Sequence, residues 1–140
     1  MTDRIFIDSN IWCYLFFKDE NEKYQIAEKF ISDYADNSIF VITYQVINEV
    51  TNQLIKKKFS EEKIKENFQY MYEICTIQDF SKDIIMSASS LRQKYSLSFW
   101  DSIIVSSAII SNCSILASED MQNGLKIKNT IIKNIFLKNT

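Results

Sequence analysis

The chain has 140 residues, 46% apolar and 24% charged, with a formal net charge of -2, the profile of one globular domain able to bury a core without disulfides or a structural metal. It contains no histidine and one glycine, Gly124. That removes Ser-His-Asp and Cys-His triads, histidine-based ribonuclease chemistry, His-ligated zinc, Walker loops and G-x-G-x-x-G turns.

In chain order, Met1-Thr2-Asp3-Arg4 leads straight into Ile5-Phe6-Ile7, a short apolar run that reads as a buried strand and not as a leader, so a cytoplasmic location is expected. Asp8-Ser9-Asn10 follows as a helix cap, with a short helix over Ile11–Phe17. Tyr24, Ala27, Phe30, Ile31 and Tyr34 give a helical period over Glu20–Tyr34. Ser38–Ile42 is the second strand, and Thr43 opens a helix whose apolar face is Val46, Ile47, Val50 and Leu54.

Ser60-Glu61-Glu62-Lys63 looks like a capping-box start of a helix reaching about Tyr72, with a weaker strand over Glu73–Ile77. Helices are predicted over Ser81–Tyr95 and from Ser98 to near Asn112. Ile115-Leu116-Ala117 is a strand, Ser118–Gly124 a polar turn, and Ile131–Leu137 a last strand. Cys13, Cys75 and Cys113 are widely spaced with no C-x-x-C pair, which suits packed thiols. No apolar stretch approaches the roughly 18–20 residues of a membrane span, so no membrane partner is expected. Alternating strands and helices imply an α/β fold, with a mostly parallel central sheet covered by helices on both faces. Such sheets bind ligands at the carboxyl ends of their strands.

Two acids fall at those ends: Asp8 after the first strand and Asp120 just after Ile115-Leu116-Ala117. Two more lie on helices: Glu49, at the edge of the stripe formed by Val46 and Val50, and Asp101, on the face of Val105 and Ala108. Each has a plain structural reading. Asp8 suits strand-to-helix punctuation, Glu49 a solvent border, Asp101 a capping box with Ser98, and Asp120 a helix N-cap with Gly124 as the stop. Against this, a carboxylate among Trp100, Ile104 and Val105 needs a partner, and without histidine a metal is one.

The order of the blocks IFIDSN, VINEVTNQL, SFWDSIIVSSAII and ILASEDMQNG resembles the PIN-domain family, and within it the VapC-like toxin nucleases. The resemblance runs from Ile5 to Gly124, with Ser118 where the family often has Thr, and implies a single PIN-like domain over residues 1–140. It also implies an endoribonuclease using Mg²⁺ or Mn²⁺, with Asp8, Glu49, Asp101 and Asp120 as catalytic residues and metal ligands and with Ser118 and Asn10 in support. RNA as substrate, a small antitoxin protein as partner and a homodimer are further implications. Four such carboxylates repel: at about 5 Å and an effective dielectric near 20, each charged pair costs roughly 3 kcal/mol.

An acidic chain needs local positive charge to hold a polyanion, and the segment after Asp120 carries Lys126, Lys128, Lys133 and Lys138 and no acid; the first three are taken as RNA-binding. Lys56-Lys57-Lys58 reads more simply as cations at a helix C-terminus. Two other functions compete. A metal-dependent phosphatase with a catalytic Asp after the first strand usually has a second Asp two residues later, where this chain has Asn10. A PIN-fold RNA-binding module that does not cleave would be expected to lack an acid, and here the set is full.

Overall fold

The computed structural model describes residues 3–137, so Lys138 lies outside the described residues. Strands β1 (Asp3–Ile7), β2 (Ser38–Ile42), β3 (Cys75–Ile77), β4 (Ile115–Ala117), β5 (Lys126–Ile127) and β6 (Thr130–Lys133) alternate with helices α1 (Ser9–Phe17), α2 (Asn21–Tyr34), α3 (Tyr44–Lys56), α4 (Glu61–Ile74), α5 (Lys82–Tyr95) and α6 (Phe99–Ile110). They form one sheet in the order β3-β2-β1-β4-β6-β5, parallel throughout except for the β5–β6 pair.

In a strand successive side chains point to opposite faces, yet Ile5, Phe6 and Ile7 are all fully buried. Both faces of the central strand are therefore covered by helices, as parallel sheets require. Phe40, Val41 and Ile42 of β2 are likewise buried, as are Leu116 and Ala117 of β4. Helix α3 turns Val46, Ile47, Val50 and Leu54 inward, and α1 adds Ile11, Trp12 and Leu15. Helix α6 is buried from Ser102 to Ala108. Its serines are tolerated there because Ser106 Oγ donates to the Ile84 carbonyl at 2.8 Å and Ser107 Oγ to the Ile103 carbonyl at 2.7 Å.

Several boundaries differ from the sequence reading, each for a local reason. Helix α1 begins at Ser9, not Ile11, because Asp8 itself is the cap. Ser60 caps α4 through the Lys63 N–H, but with Lys at that third position there is no acid to reach back, so the capping box is only half made. The same helix continues to Ile74 and leaves β3 three residues. Helix α6 ends at Ile110, and Asn112 adopts φ 60 beyond it.

The predicted strand over Ile131–Leu137 is present as the shorter β6, Thr130–Lys133, which forms a hairpin with the unpredicted β5. Ile127 pairs with Thr130 across a two-residue turn in which Lys128 takes φ 53, and β6 ends at Lys133. A two-residue hairpin usually announces itself with Asn-Gly or Asp-Gly, and Lys128-Asn129 carries neither signal. Among the described residues no helix follows Asp120, so its reading as a helix N-cap is corrected: residues 118–125 form bends and turns. The three cysteines are free thiols, and burial pushes each up to about 12, which suits the packed reading.

Candidate active site

Sequence-consecutive strands β1 and β2 are neighbours, but β4 joins on the other side of β1. Order reverses there, and the crevice at the carboxyl ends of the two strands is where open α/β sheets place ligands. Asp8 occupies it. Its backbone stays extended (φ -73, ψ 163), and its N–H bonds to the Ala117 carbonyl at 2.9 Å. The side chain is 6% exposed. Oδ1 accepts from the Ser9 N–H at 2.8 Å and Oδ2 from Ser118 Oγ at 2.7 Å. Burial raises the Asp8 carboxyl from 3.8 to about 6; the two hydrogen bonds oppose the rise, and the charges of Glu49 and Asp101 add to it.

Glu49 and Asp120 gather through the first turn of α1. Ser9 Oγ donates to Glu49 Oε2 at 3.2 Å, and Gln45, one helical turn before Glu49, donates to its Oε1 at 3.0 Å. Asn10 Nδ2 donates to Asp120 Oδ2 at 3.1 Å, while its Oδ1 accepts from the Glu119 N–H at 3.3 Å. Asn10 thus holds the loop after β4 against α1. Asp101 begins α6, where Ser98 Oγ accepts from its N–H at 3.2 Å. Its carboxylate receives no hydrogen bond from the described residues, half-buried and close enough for its charge to act on Asp8. An open cleft of about 440 Å³ is lined by Asn10, Cys13, Glu49, Asn52, Lys57 and Asp120.

Among the described residues, no three acids close into a ready metal-ligand group. Hydrogen-bond donors stand between the carboxylates, as repulsion without a cation favours. The chemistry of the set still fits a hard divalent cation, which takes carboxylate oxygens and keeps waters. Two observations bear on that fit. Ionised Asp8 lies in a site whose burial and neighbouring acids both oppose its charge. Thr43 Oγ1, buried with 7% exposure, has no hydrogen-bond partner among the described residues. Continuing the β1–β2 register from Phe6↔Val41 by two residues sets Thr43 beside Asp8, with Ser118 on the other side. By register, Thr43, Asp8 and Ser118 stand side by side just past three adjacent strand ends, and the Thr43 hydroxyl has no partner among the described residues.

The predicted basic segment is divided. Lys133 pairs with Ala117 at the edge of the sheet that carries the acids. Lys126 pairs with Ile131, further back, and Lys128 sits in the β5–β6 turn at the opposite end. Lys57 is engaged by Asp19 at 2.9 Å.

Sequence reasoning missed Ser9, Gln45, Thr43 and a clamp on the Asp120 loop. In that clamp Glu119 accepts from Tyr14 of α1 and pairs with Lys23 of α2. Lys23 also lies 4.6 Å from the centre of the Tyr14 ring. Ser9 had a readable signal, a hydroxyl in the first turn after a capping Asp. The clamp had none, because its partners are 105 and 96 residues apart.

The sequence matches the family model for the PIN domain over residues 5–123. No curated protein matches it significantly in sequence. In structure it is similar to VapBC2 from Rickettsia felis, solved bound to a DNA fragment from its promoter, with a TM-score of 0.72 and 22% identity over 94% of this chain and 98% of that one. A toxin-antitoxin complex from Klebsiella pneumoniae gives a TM-score of 0.69 and 20% identity, covering 91% and 95% of the two chains. VapC20 from Mycobacterium tuberculosis, a toxin that cleaves the sarcin-ricin loop, gives 0.66 and 12%, covering 80% and 86%. At these identities the likeness is one of fold.

Proposed function

The chain belongs to the PIN-domain family, and on that premise we propose that it is a divalent-metal-dependent endoribonuclease, the toxin of a toxin-antitoxin pair. One observation carries the reading: Asp8 is buried at the switch point between β1 and β4 with its lone pairs directed by Ser9 and Ser118, while Glu49 and Asp120 are tied to the same helical turn. Acids whose charge is opposed by burial and by neighbouring acids cluster at functional sites.

Asp8 and Asp101 would hold Mg²⁺ or Mn²⁺, with Asp120 and Glu49 completing the set directly or through water. The ion, when bound, supplies an activated water and neutralises charge on the phosphate. The chain's own groups do the positioning. Ser118 and Ser9 fix the direction of the Asp8 lone pairs, Asn10 holds Asp120, and Gln45 with Ser9 holds Glu49. Thr43 keeps a buried hydroxyl beside Asp8 in register, with no hydrogen-bond partner among the described residues. Lys133, exposed at the same edge of the sheet, would meet the RNA backbone, with Lys126 as a more distant contributor.

A small antitoxin covering the acid cleft, a homodimer and a cytoplasmic location complete the proposal; the partner rests on the toxin-antitoxin complexes that the fold resembles. No described helix is long and apolar enough to cross a membrane. The test incubates the purified protein with mixed RNA and, separately, a small phosphate ester, in Mg²⁺ and in excess chelator. Cleavage of RNA alone, abolished by chelator and by Asp8→Asn, is the expected result. Full-rate cleavage in chelator removes the metal mechanism. Turnover of the ester without RNA cleavage returns the phosphatase, and RNA binding without cleavage returns the non-cleaving module.

A further inference from the structure

Beside the acid cleft lies a group of exposed aromatic rings. Trp100 is 64% exposed, Phe80 63%, Tyr44 50% and Phe99 48%, and together they line an open cleft of about 770 Å³. Between the rings stand three side-chain amides, Gln45, Asn48 and Asn52. Among the described residues its one charged lining side chain is Glu49, which does not suit a track for phosphates. Flat π-faces interleaved with amides that donate and accept in one plane are the chemistry that stacks a nucleobase and reads its edge.

The cleft is joined to the acid site physically. Glu49 and Asn52 line both clefts. Gln45 Nε2 donates to Glu49 Oε1 at 3.0 Å and to the Trp100 carbonyl at 3.4 Å, so one amide ties the aromatic wall to an acid. Trp100 is also the residue before Asp101. The wall is held in advance. The Arg92 guanidinium lies 5.3 Å from the centre of the Phe99 ring, and Phe99 meets Trp100 edge-on at 4.8 Å and 79°.

We infer that this aromatic cleft is a subsite for an unpaired nucleobase of the RNA strand whose phosphate enters the acid cleft, with Trp100 as its stacking platform and Asn48 and Asn52 reading the base edge. The inference rests on the ribonuclease reading for the identity of the polymer. It adds to it the place where an unpaired base is held and base preference is set. A double helix keeps its bases stacked on one another and offers nothing to Trp100.

The protein has two tryptophans, and Trp12 is fully buried while Trp100 is open, so fluorescence quenching by an added base reports on Trp100. The experiment titrates oligoadenylate, oligouridylate and the duplex of the two into full-length protein carrying Asp8→Asn, to prevent cleavage. Trp100→Ala and Trp100→Phe versions of that protein are compared by competition with labelled RNA and by sedimentation.

The expected result is saturable quenching by single strands and little by duplex. Trp100→Ala should lose about tenfold in single-strand affinity, Trp100→Phe should retain most of it, and sedimentation should be unchanged. In an otherwise wild-type chain, Trp100→Ala should also lower kcat/KM for RNA by a similar factor. Equal quenching by duplex, or unaltered affinity in Trp100→Ala, overturns the subsite. A change of oligomeric state in Trp100→Ala also overturns it, and makes the patch a contact between two copies of the chain. If the wild-type protein cleaves no RNA while single-strand-selective quenching persists, the hydrolase reading falls and the base subsite stands.

Discussion

Replacing Asp8 by Asn should stabilise the metal-free protein, and by an amount that depends on pH. The carboxyl of Asp8 is raised from 3.8 to about 6, chiefly by burial. Between those two values the folded chain keeps a proton that the unfolded chain has released. Stability therefore falls as pH rises through that window, and the loss is complete above about pH 6. The difference corresponds to about 3 kcal/mol at 1.36 kcal/mol per pH unit.

Asn carries no charge at any pH and keeps the geometry. Its Oδ1 still accepts from the Ser9 N–H, and its Nδ2 meets Ser118 Oγ, which turns to accept instead of donate. Asp8→Asn should then be more stable than the wild type by up to about 3 kcal/mol at roughly pH 7.5, and equal to it below roughly pH 4. Urea unfolding in chelator at several pH values, followed by circular dichroism, measures the gap; other titrating groups cancel in the difference. Mg²⁺ should then stabilise the wild type and leave Asp8→Asn unmoved. A gap that does not change with pH, or a variant less stable at neutral pH, would refute the claim that ionised Asp8 is held in an unfavourable place for function.

Asp101→Asn should leave metal-free stability within about 0.5 kcal/mol, because Ser98 caps α6 through the backbone N–H of residue 101 and not through its carboxylate. RNA cleavage should nonetheless fall on the order of a hundredfold or more, about 3 kcal/mol; a stability loss with activity retained would make it a capping residue. Ser118→Ala removes a buried donor to the Asp8 carboxylate and should cost about 1–3 kcal/mol at neutral pH, with Ser118→Thr restoring most of it; equal losses in both would point to packing instead. Lys133→Gln should reduce the slope of log binding against log salt by about 0.7, the share of one phosphate contact on a single strand. Lys128→Gln, at the far end of the sheet, should leave the slope unchanged, and equal effects would mean that the RNA does not follow the edge described.

What the sequence determined by itself was local. Helical period and short apolar runs located every helix and five of the six strands in the described residues, because a helix buries one face every 3.6 residues whatever its partner and a strand covered on both faces is apolar throughout. Asp8 and Asp120 were legible as strand-end acids, and Asp101 as a first-turn acid, for the same reason: their positions follow from where an element stops. The family pattern joined them into one site, but no residue on its own announced its neighbours.

Tertiary structure decided the rest. Only the β3-β2-β1-β4-β6-β5 order brings Ser118 onto Asp8 and Asp120 onto Asn10, pairs of residues each 110 apart in sequence, since strand pairing is chosen by distant surfaces and not by periodicity. The same pairing sends Lys133 to the acid edge and Lys128 away from it, although both belong to one basic stretch. It leaves Thr43 with a buried hydroxyl that has no partner among the described residues, where the sequence showed only a cap. A short hairpin without glycine escaped notice because its turn draws support from β6 and the loop around it. The exposure of Trp100 beside a buried helix was invisible for a related reason: an apolar residue in a helical pattern is taken for core until the fold shows what lies over it.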